Sequence, residues 1–230
     1  MAKTTPTPST PDTAVENALS KSEQFIENNQ KSLTIIVIAV LAIVAIYLGY
    51  KNWYIAPMEE EARSQIFNAE YHFERDSFRL ALNGTENDLG FLDIAKQYGP
   101  SRTGNLANYY CGICYRQLGE YETAISYLKK FDAGDKMLTP VAYGAIGDCY
   151  VELQQLGEGA KYYEKAASYE PNEFVSPLFL KKAGQVYANM GNYAKAIKLY
   201  ETIKSDYIKS TEGRDIEKEI ARIKSLMANK

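Results

Sequence analysis

The residue pattern most suggestive of chemistry is Cys111-Gly112-Ile113-Cys114, in which two thiols are separated by two residues. Such a spacing supports thiol–disulfide exchange when the first cysteine lies at a helix N-terminus, because the helix dipole there lowers the thiol pKa. Here the surrounding sequence predicts the middle of a helix, and Cys114 and Cys149 occupy equivalent places in successive segments. We therefore interpret the cysteines as small buried packing residues and keep a thiol oxidoreductase as a competing hypothesis.

Other candidates for catalysis are few. A structural zinc site needs four ligands, and three cysteines with a single remote histidine, His72, do not supply them. His72 lies near Glu70, Glu74 and Asp76 on a predicted helix, where we expect it to be exposed. The sequence has no Ser/His/Asp order, no glycine-rich phosphate loop and no useful carboxylate spacing. We therefore predict no enzyme activity, cofactor, metal or small-molecule substrate.

Three segments share a glycine that is followed sixteen positions later by a large residue, and the glycines recur at 35 and 37 residues. The pairs are Gly112 with Leu128, Gly147 with Tyr163, and Gly184 with Tyr200. This pattern resembles the tetratricopeptide repeat, a pair of helices of about 34 residues. A glycine without a side chain lets the second helix approach the first, and the large residue fills the space above it. The sequence therefore predicts three tetratricopeptide units over residues 103–209.

The segments that flank these units are also helical in pattern. Residues 57–102 resemble a degenerate first repeat, with a turn at Asn83-Gly84. Residues 210–230 place their isoleucines and Leu226 on one apolar face, as a terminal capping helix requires. The predicted fold class is therefore all-α: a tetratricopeptide-type α-solenoid that ends in a capping helix.

A stack of helix pairs forms a concave groove lined by the first helix of each pair. We predict a partner-binding groove formed by Tyr109, Ile113, Arg116, Asp148, Glu152, Lys181, Gln185 and Asn189. The lysine, arginine and asparagine set with which some tetratricopeptide proteins bind chaperone C-termini is absent, because positions such as Gly144 and Asp148 carry other residues. The mixed side chains suit a protein segment better than a small anion. The competing interpretation is that they only solvate the inner face.

The chain carries no charged residue from Ser32 to Tyr50. As a helix, this stretch rises about 28 Å, close to the ~30 Å hydrocarbon core of a bilayer. Aromatic residues crowd its C-terminal end, where they favour the headgroup layer. We predict a single transmembrane helix over residues 32–54, which Pro57 helps to end. A buried helix of a soluble core and a cleaved signal peptide are the weaker alternatives.

The residues before this apolar stretch have two compositions. Residues 1–11 are rich in threonine, proline and serine and are predicted to be a disordered tail. Residues 12–31 carry apolar residues at helical spacing and form either an amphipathic juxtamembrane helix or a linker. Lysine and arginine counts on the two sides of the anchor are equal, so charge does not decide its orientation. The net charge of −3 argues against nucleic-acid binding.

The whole arrangement resembles the YfgM-like family of bacterial inner-membrane proteins with a periplasmic tetratricopeptide domain. The resemblance rests on the anchor, on residues 61–84, and above all on residues 104–128, GNLANYYCGICYRQLGEYETAISYL. The composition of DYIKSTEGRDIEKEIARIK near the end is Bacteroidota-like.

The resemblance implies an accessory of the Sec translocon with a cytoplasmic N-terminus and a periplasmic repeat domain. Its implied partners are translocon subunits and a membrane-anchored chaperone of the prolyl-isomerase type, acting on exported proteins, and it implies no catalytic residues. The alternative is an N-anchored receptor that faces the cytosol. An outer-membrane assembly lipoprotein is disfavoured because no lipidation cysteine lies near the N-terminus.

Overall fold

The computed structural model describes residues 11–132, 134 and 136–228. Within these residues the regular structure is helical, with one isolated bridge between Gly84 and Leu89. The all-α prediction is confirmed: a long apolar N-terminal helix, a solenoid of helix pairs and a terminal helix follow one another along the chain. The chain divides into two compact units, Met1–Tyr54 and Ile55–Lys230.

The described part of the first unit consists of α1, Pro11–Tyr50, and the start of a π-helical turn, Lys51–Ile55. α1 runs without a break through the predicted juxtamembrane segment and the apolar stretch. Residues 1–10 of the predicted disordered tail lie outside the described residues, and its last residue, Pro11, begins α1. One helical stretch, Ile26–Glu74, is long and apolar enough to cross a membrane: its most apolar 18-residue window has a mean hydropathy of 2.7, and none of that window is buried.

The prediction that Pro57 helps to end the first helix is wrong. The turn Lys51–Ile55 is followed directly by α2, Ala56–Glu74, and Pro57 lies in the first turn of α2. A proline is tolerated there because the N–H it lacks would have no partner within the helix.

The described residues of the second unit form ten α-helices. After α2 they are α3 (Phe78–Asn83), α4 (Phe91–Gln97), α5 (Arg102–Gln117), α6 (Tyr121–Lys130), α7 (Leu138–Glu152), α8 (Leu156–Ser168), α9 (Ser176–Asn189), α10 (Tyr193–Asp206) and α11 (Ile216–Ala228). Within the predicted repeats, α5 packs on α6, α7 on α8 and α9 on α10, and α11 packs on α10. Residues 57–102 hold one long and two short helices, since Asp76 and Gly84 take positive φ angles of 56° and 72° just after α2 and α3.

The glycines of the three pairs make the predicted close contacts. An ideal Cβ would lie 2.4 Å from Leu128 Cγ at Gly112, 2.7 Å from Tyr163 Cδ1 at Gly147, and 2.3 Å from Tyr200 Cε1 at Gly184. A side chain at any of these positions would therefore force the large residue that faces it to shift. The register of the three hairpins follows from these contacts.

A polar contact joins α2 to the first hairpin. Glu59 accepts hydrogen bonds from the Thr103 backbone N–H at 2.9 Å and the Thr103 hydroxyl at 3.0 Å, and Arg63 donates to it at 2.9 Å. Partial burial of Glu59 opposes its ionisation, but the bonds from Thr103 and Arg63 outweigh burial and lower its pKa. The Glu59 carboxylate thus accepts one backbone N–H at the N-terminus of α5, and the side chain of the N-cap residue Ser101 accepts another, that of Gly104.

Candidate partner-binding groove

One carboxylate joins the first helices of three successive repeats. Asp148 on α7 accepts a hydrogen bond from Arg116 on α5 at 2.9 Å and from Lys182 on α9 at 2.7 Å. The hydroxyl of Tyr163, on the second helix of the same repeat, donates to Asp148 at 2.6 Å. The carboxylate therefore links α5, α7, α8 and α9 at one point on the inner face.

This network is shielded in part from solvent. The exposed fractions of the side chains are 27% for Arg116 and Asp148 and 35% for Lys182. Burial and the bond to Asp148 raise the pKa of Tyr163 well above its ordinary value, so its hydroxyl stays protonated and acts as a donor. Because bulk ions screen partly buried pairs less than exposed ones, the network can fix the spacing of the inner helices.

The network borders a cavity of about 310 Å³ on the inner face. Its lining residues are Arg116, Gln117, Tyr121, Asp148, Val151, Glu152, Tyr163 and Lys182. Three of the predicted groove residues, Arg116, Asp148 and Glu152, thus meet in one place. Glu152 is exposed to solvent, and its part in binding a partner stays a prediction.

The other predicted groove residues lie elsewhere. Ile113 is only 8% exposed and belongs to the core between the first two repeats, so it serves packing and cannot reach a partner. Tyr109 is half-buried with its ring 5.3 Å from that of Phe131. Lys181 is close enough to Asp215 to act on it electrostatically. Gln185 and Asn189 are exposed on α9, and their part in binding stays a prediction.

Two members of the network, Lys182 and Tyr163, were absent from the predicted groove. Lys182 lies one position beyond the predicted Lys181, and adjacent residues of a helix point about 100° apart. A sequence signal did exist, since Arg116, Asp148 and Lys182 alternate in charge at intervals of 32 and 34 residues, close to one repeat. Tyr163 was predicted only as the packing partner of Gly147, which it also is.

The three cysteines are structural. Cys111 and Cys114 lie inside α5, Cys149 lies inside α7, and each is 0% exposed. Burial raises the pKa of Cys114 to about 12 and that of Cys149 to about 11, and it raises the pKa of Cys111 as well. Such thiols have almost no thiolate at neutral pH, and the thiolate is the reactive form. The packing interpretation agrees with this geometry.

Stacked helical hairpins with a polar groove on the inner face define a helical-repeat scaffold. The repeats themselves are tetratricopeptide repeats: one model of that repeat matches residues 140–173 and a second matches residues 107–132 and 182–210. Repeats of this kind bind proteins and are generally not catalytic.

Two curated proteins are similar to this chain over about half of its length. The chain is 28% identical over 117 residues to the uncharacterized protein ycf37 of Guillardia theta, a match that covers 49% of this chain and 64% of that protein. It is 27% identical over 117 residues to tetratricopeptide repeat protein 29 of Macaca fascicularis, covering 47% of this chain and 25% of the relative. The chain therefore spans less than two thirds of either relative. The YfgM-like resemblance and the Bacteroidota origin remain predictions.

A solved structure shows the same fold. The TPR-like repeats of a Podosopora anserina protein assigned as a kinesin light chain superpose with a TM-score of 0.55 at 12% identity. The match covers 75% of this chain and 89% of that one. At this identity the likeness concerns the fold alone.

Proposed function

We propose that this protein is a membrane-anchored, non-catalytic scaffold that binds a segment of a partner protein in its concave groove. The observation that carries the proposal is the bridging of three repeats by Asp148, which holds the groove in one shape before a partner arrives. A preformed groove binds with less loss of conformational freedom than a flexible one. Glu152 lines the cavity beside Asp148, and the exposed Gln185 and Asn189 on α9 are the further groove residues of this proposal.

The more specific proposal is an accessory of the Sec translocon. In this role the single span lies in the bacterial inner membrane, the N-terminus is cytoplasmic and the repeat domain is periplasmic. The partners are translocon subunits and a membrane-anchored chaperone of the prolyl-isomerase type, near exported proteins. The apolar helix and the resemblance to the YfgM-like family support this role.

Site-specific photo-crosslinking in cells tests the groove. A crosslinker at Gln185 or Asn189 should capture a defined partner, whereas one at Glu122, exposed on α6, should not. Capture of translocon subunits and the chaperone supports the specific role. Specific capture of other proteins would support the scaffold and contradict the translocon role. Equal labelling from Glu122 would contradict binding in the groove.

Membrane orientation is tested separately by cysteine labelling of intact cells. The native cysteines are buried, so Thr211→Cys at an exposed position introduces the reactive thiol. A membrane-impermeant maleimide should modify Thr211→Cys in cells whose outer membrane alone is permeable, and should leave Thr5→Cys unmodified until the inner membrane is opened. The reverse pattern would support the cytosol-facing receptor.

A further inference from the structure

Two lysines, each on the second helix of its repeat, approach the same tyrosine ring on α8. Lys129 lies in the last turn of α6 and Lys165 in the last turn of α8. Their ammonium nitrogens are 5.7 Å and 5.8 Å from the centroid of the Tyr162 ring. Lys165 is also 3.9 Å from the ring centroid of Tyr143, and Lys129 donates a hydrogen bond to the Tyr150 hydroxyl at 3.0 Å.

These groups border a cavity of about 230 Å³ that contains none of the predicted groove residues. The lining residues are Leu128, Lys129, Phe131, Asp132, Tyr143, Ile146, Tyr162 and Lys165. Asp132 is the one carboxylate among the described lining residues, and its main chain is held by hydrogen bonds to Asn105. Within the described part of the chain, neither Lys129 nor Lys165 comes within ion-pair distance of a carboxylate. The described lining residues therefore carry an excess of one positive charge.

The donors of this cavity are available to a ligand. The hydrogen bond to Tyr150 is the main cause that raises the pKa of Lys129, which therefore stays charged. An ammonium group over an aromatic ring keeps N–H groups that can turn toward an acceptor.

We infer that this cavity binds an oxyanion, a phosphate or a sulfate group. The protein's own ammonium groups already lie against the ring faces, so a cationic ligand would meet repulsion. The volume is below the roughly 300–1,000 Å³ of pockets for larger ligands, so a single compact group fits and an extended chain does not. The phosphate can belong to an anionic lipid headgroup or to a free solute.

Phosphate binding to the full chain in a maltoside detergent, which contains no phosphate, tests the site. Calorimetric titration with inorganic phosphate, at an ionic strength matched with chloride, should show saturable binding. Lys129→Gln and Lys165→Gln should each weaken it about tenfold, because each removes a charged donor. Lys165→Arg should retain most of the affinity. Lys161→Gln is the matched control, since Lys161 lies on the same helix and pairs with Glu158.

A second arm separates the two sources of phosphate. In nanodiscs that contain phosphatidylglycerol, a site filled by the lipid headgroup should no longer bind inorganic phosphate. A site for a soluble phosphate should bind inorganic phosphate there as tightly as in detergent. Either result supports the inference. Absence of phosphate and sulfate binding by the wild-type chain would overturn it, as would equal weakening by Lys161→Gln. A capped glutamate peptide that binds through Lys129 and Lys165 where phosphate does not would also overturn it.

Discussion

Gly184 and Tyr200 touch so closely that a Cβ on the glycine would lie 2.3 Å from Tyr200 Cε1 and 2.9 Å from Cδ1 and Cζ. Tyr200 is 0% exposed and belongs to the core formed by α10 and α11. The Tyr200 ring therefore packs against α9 within the last hairpin and also belongs to the core shared with α11. The absence of a side chain at Gly184 thus allows the close approach of Tyr200 on α10 to α9.

Gly184→Ala should destabilise the protein. The added methyl group forces the Tyr200 ring away, and overpacking of this kind costs about 1–3 kcal/mol. The higher helix propensity of alanine returns up to about 1 kcal/mol. We therefore expect a net loss of about 1–2 kcal/mol in the free energy of unfolding, measured by urea denaturation of the full chain in detergent.

Gly157→Ala is the control for this substitution. Gly157 also lies in a helix, α8, but apart from its chain neighbours and the nearby backbone of that helix no heavy atom lies within 4 Å of its ideal Cβ. Its replacement should be neutral or slightly stabilising, by less than about 1 kcal/mol. Equal effects of the two substitutions would mean that contact with Tyr200 does not determine the register.

Asp148→Ala should weaken the inner face of the solenoid. The change leaves Arg116, Lys182 and Tyr163 without their shared acceptor. We expect a loss of about 1–3 kcal/mol, below the ~3–5 kcal/mol of a fully buried pair because these side chains remain in part exposed. Urea denaturation measures the loss, and crosslinking from Gln185 should fall with it.

Asp215→Asn gives the comparison for Asp148. Asp215 pairs with Lys218 at 2.6 Å, but the two side chains are 62% and 83% exposed. Exposed pairs of this kind contribute little to stability, because solvent screens them. A cost at Asp215 as large as that at Asp148 would argue against a special role for the shared acceptor.

Glu59→Gln should destabilise the protein in a way that depends on pH. The folded-state pKa of Glu59 lies below its ordinary value of 4.5. Its contribution is therefore present above that value and is lost as the pH falls through the folded pKa. We expect Glu59→Gln to cost about 1–2 kcal/mol at neutral pH, with a smaller difference from wild type as the pH drops below 4.5.

Urea denaturation across pH checks this dependence, and Glu158→Gln is its control. Glu158 forms an exposed pair with Lys161 within one helix. Its substitution removes the same charge at little cost. A Glu59→Gln penalty that stays constant below pH 4.5 would contradict the assignment of the pH dependence to Glu59.

The native thiols should resist modification until the protein unfolds. Cys111, Cys114 and Cys149 are inaccessible, and burial raises the pKa of each. A thiol reagent should therefore modify Thr211→Cys at once and the native cysteines only in urea. Rapid labelling of Cys111, together with an insulin-reducing activity that Cys111→Ser abolishes, would instead favour the thiol oxidoreductase.

Contacts between residues close in the sequence could be predicted. The pairing of Gly112 with Leu128 spans sixteen residues within one hairpin, so the size pattern along the chain was enough to find it. Contacts between repeats were harder. Ile113 has an inward position by register, yet the next hairpin covers it. The sequence could not show which of the two lysines, Lys181 or Lys182, contacts Asp148, because that depends on the rotation of each hairpin relative to the one before it.

The sequence by itself determined the apolar N-terminal helix, the helical class of the chain and the three glycine contacts, because each depends on composition or on spacing within one hairpin. Only the tertiary structure decided that Asp148 joins Arg116 to Lys182 and that Lys129 and Lys165 meet at Tyr162. The physical reason is geometric. Side chains about one repeat apart meet only through the rotation between hairpins, which is set by the packing of all their faces together.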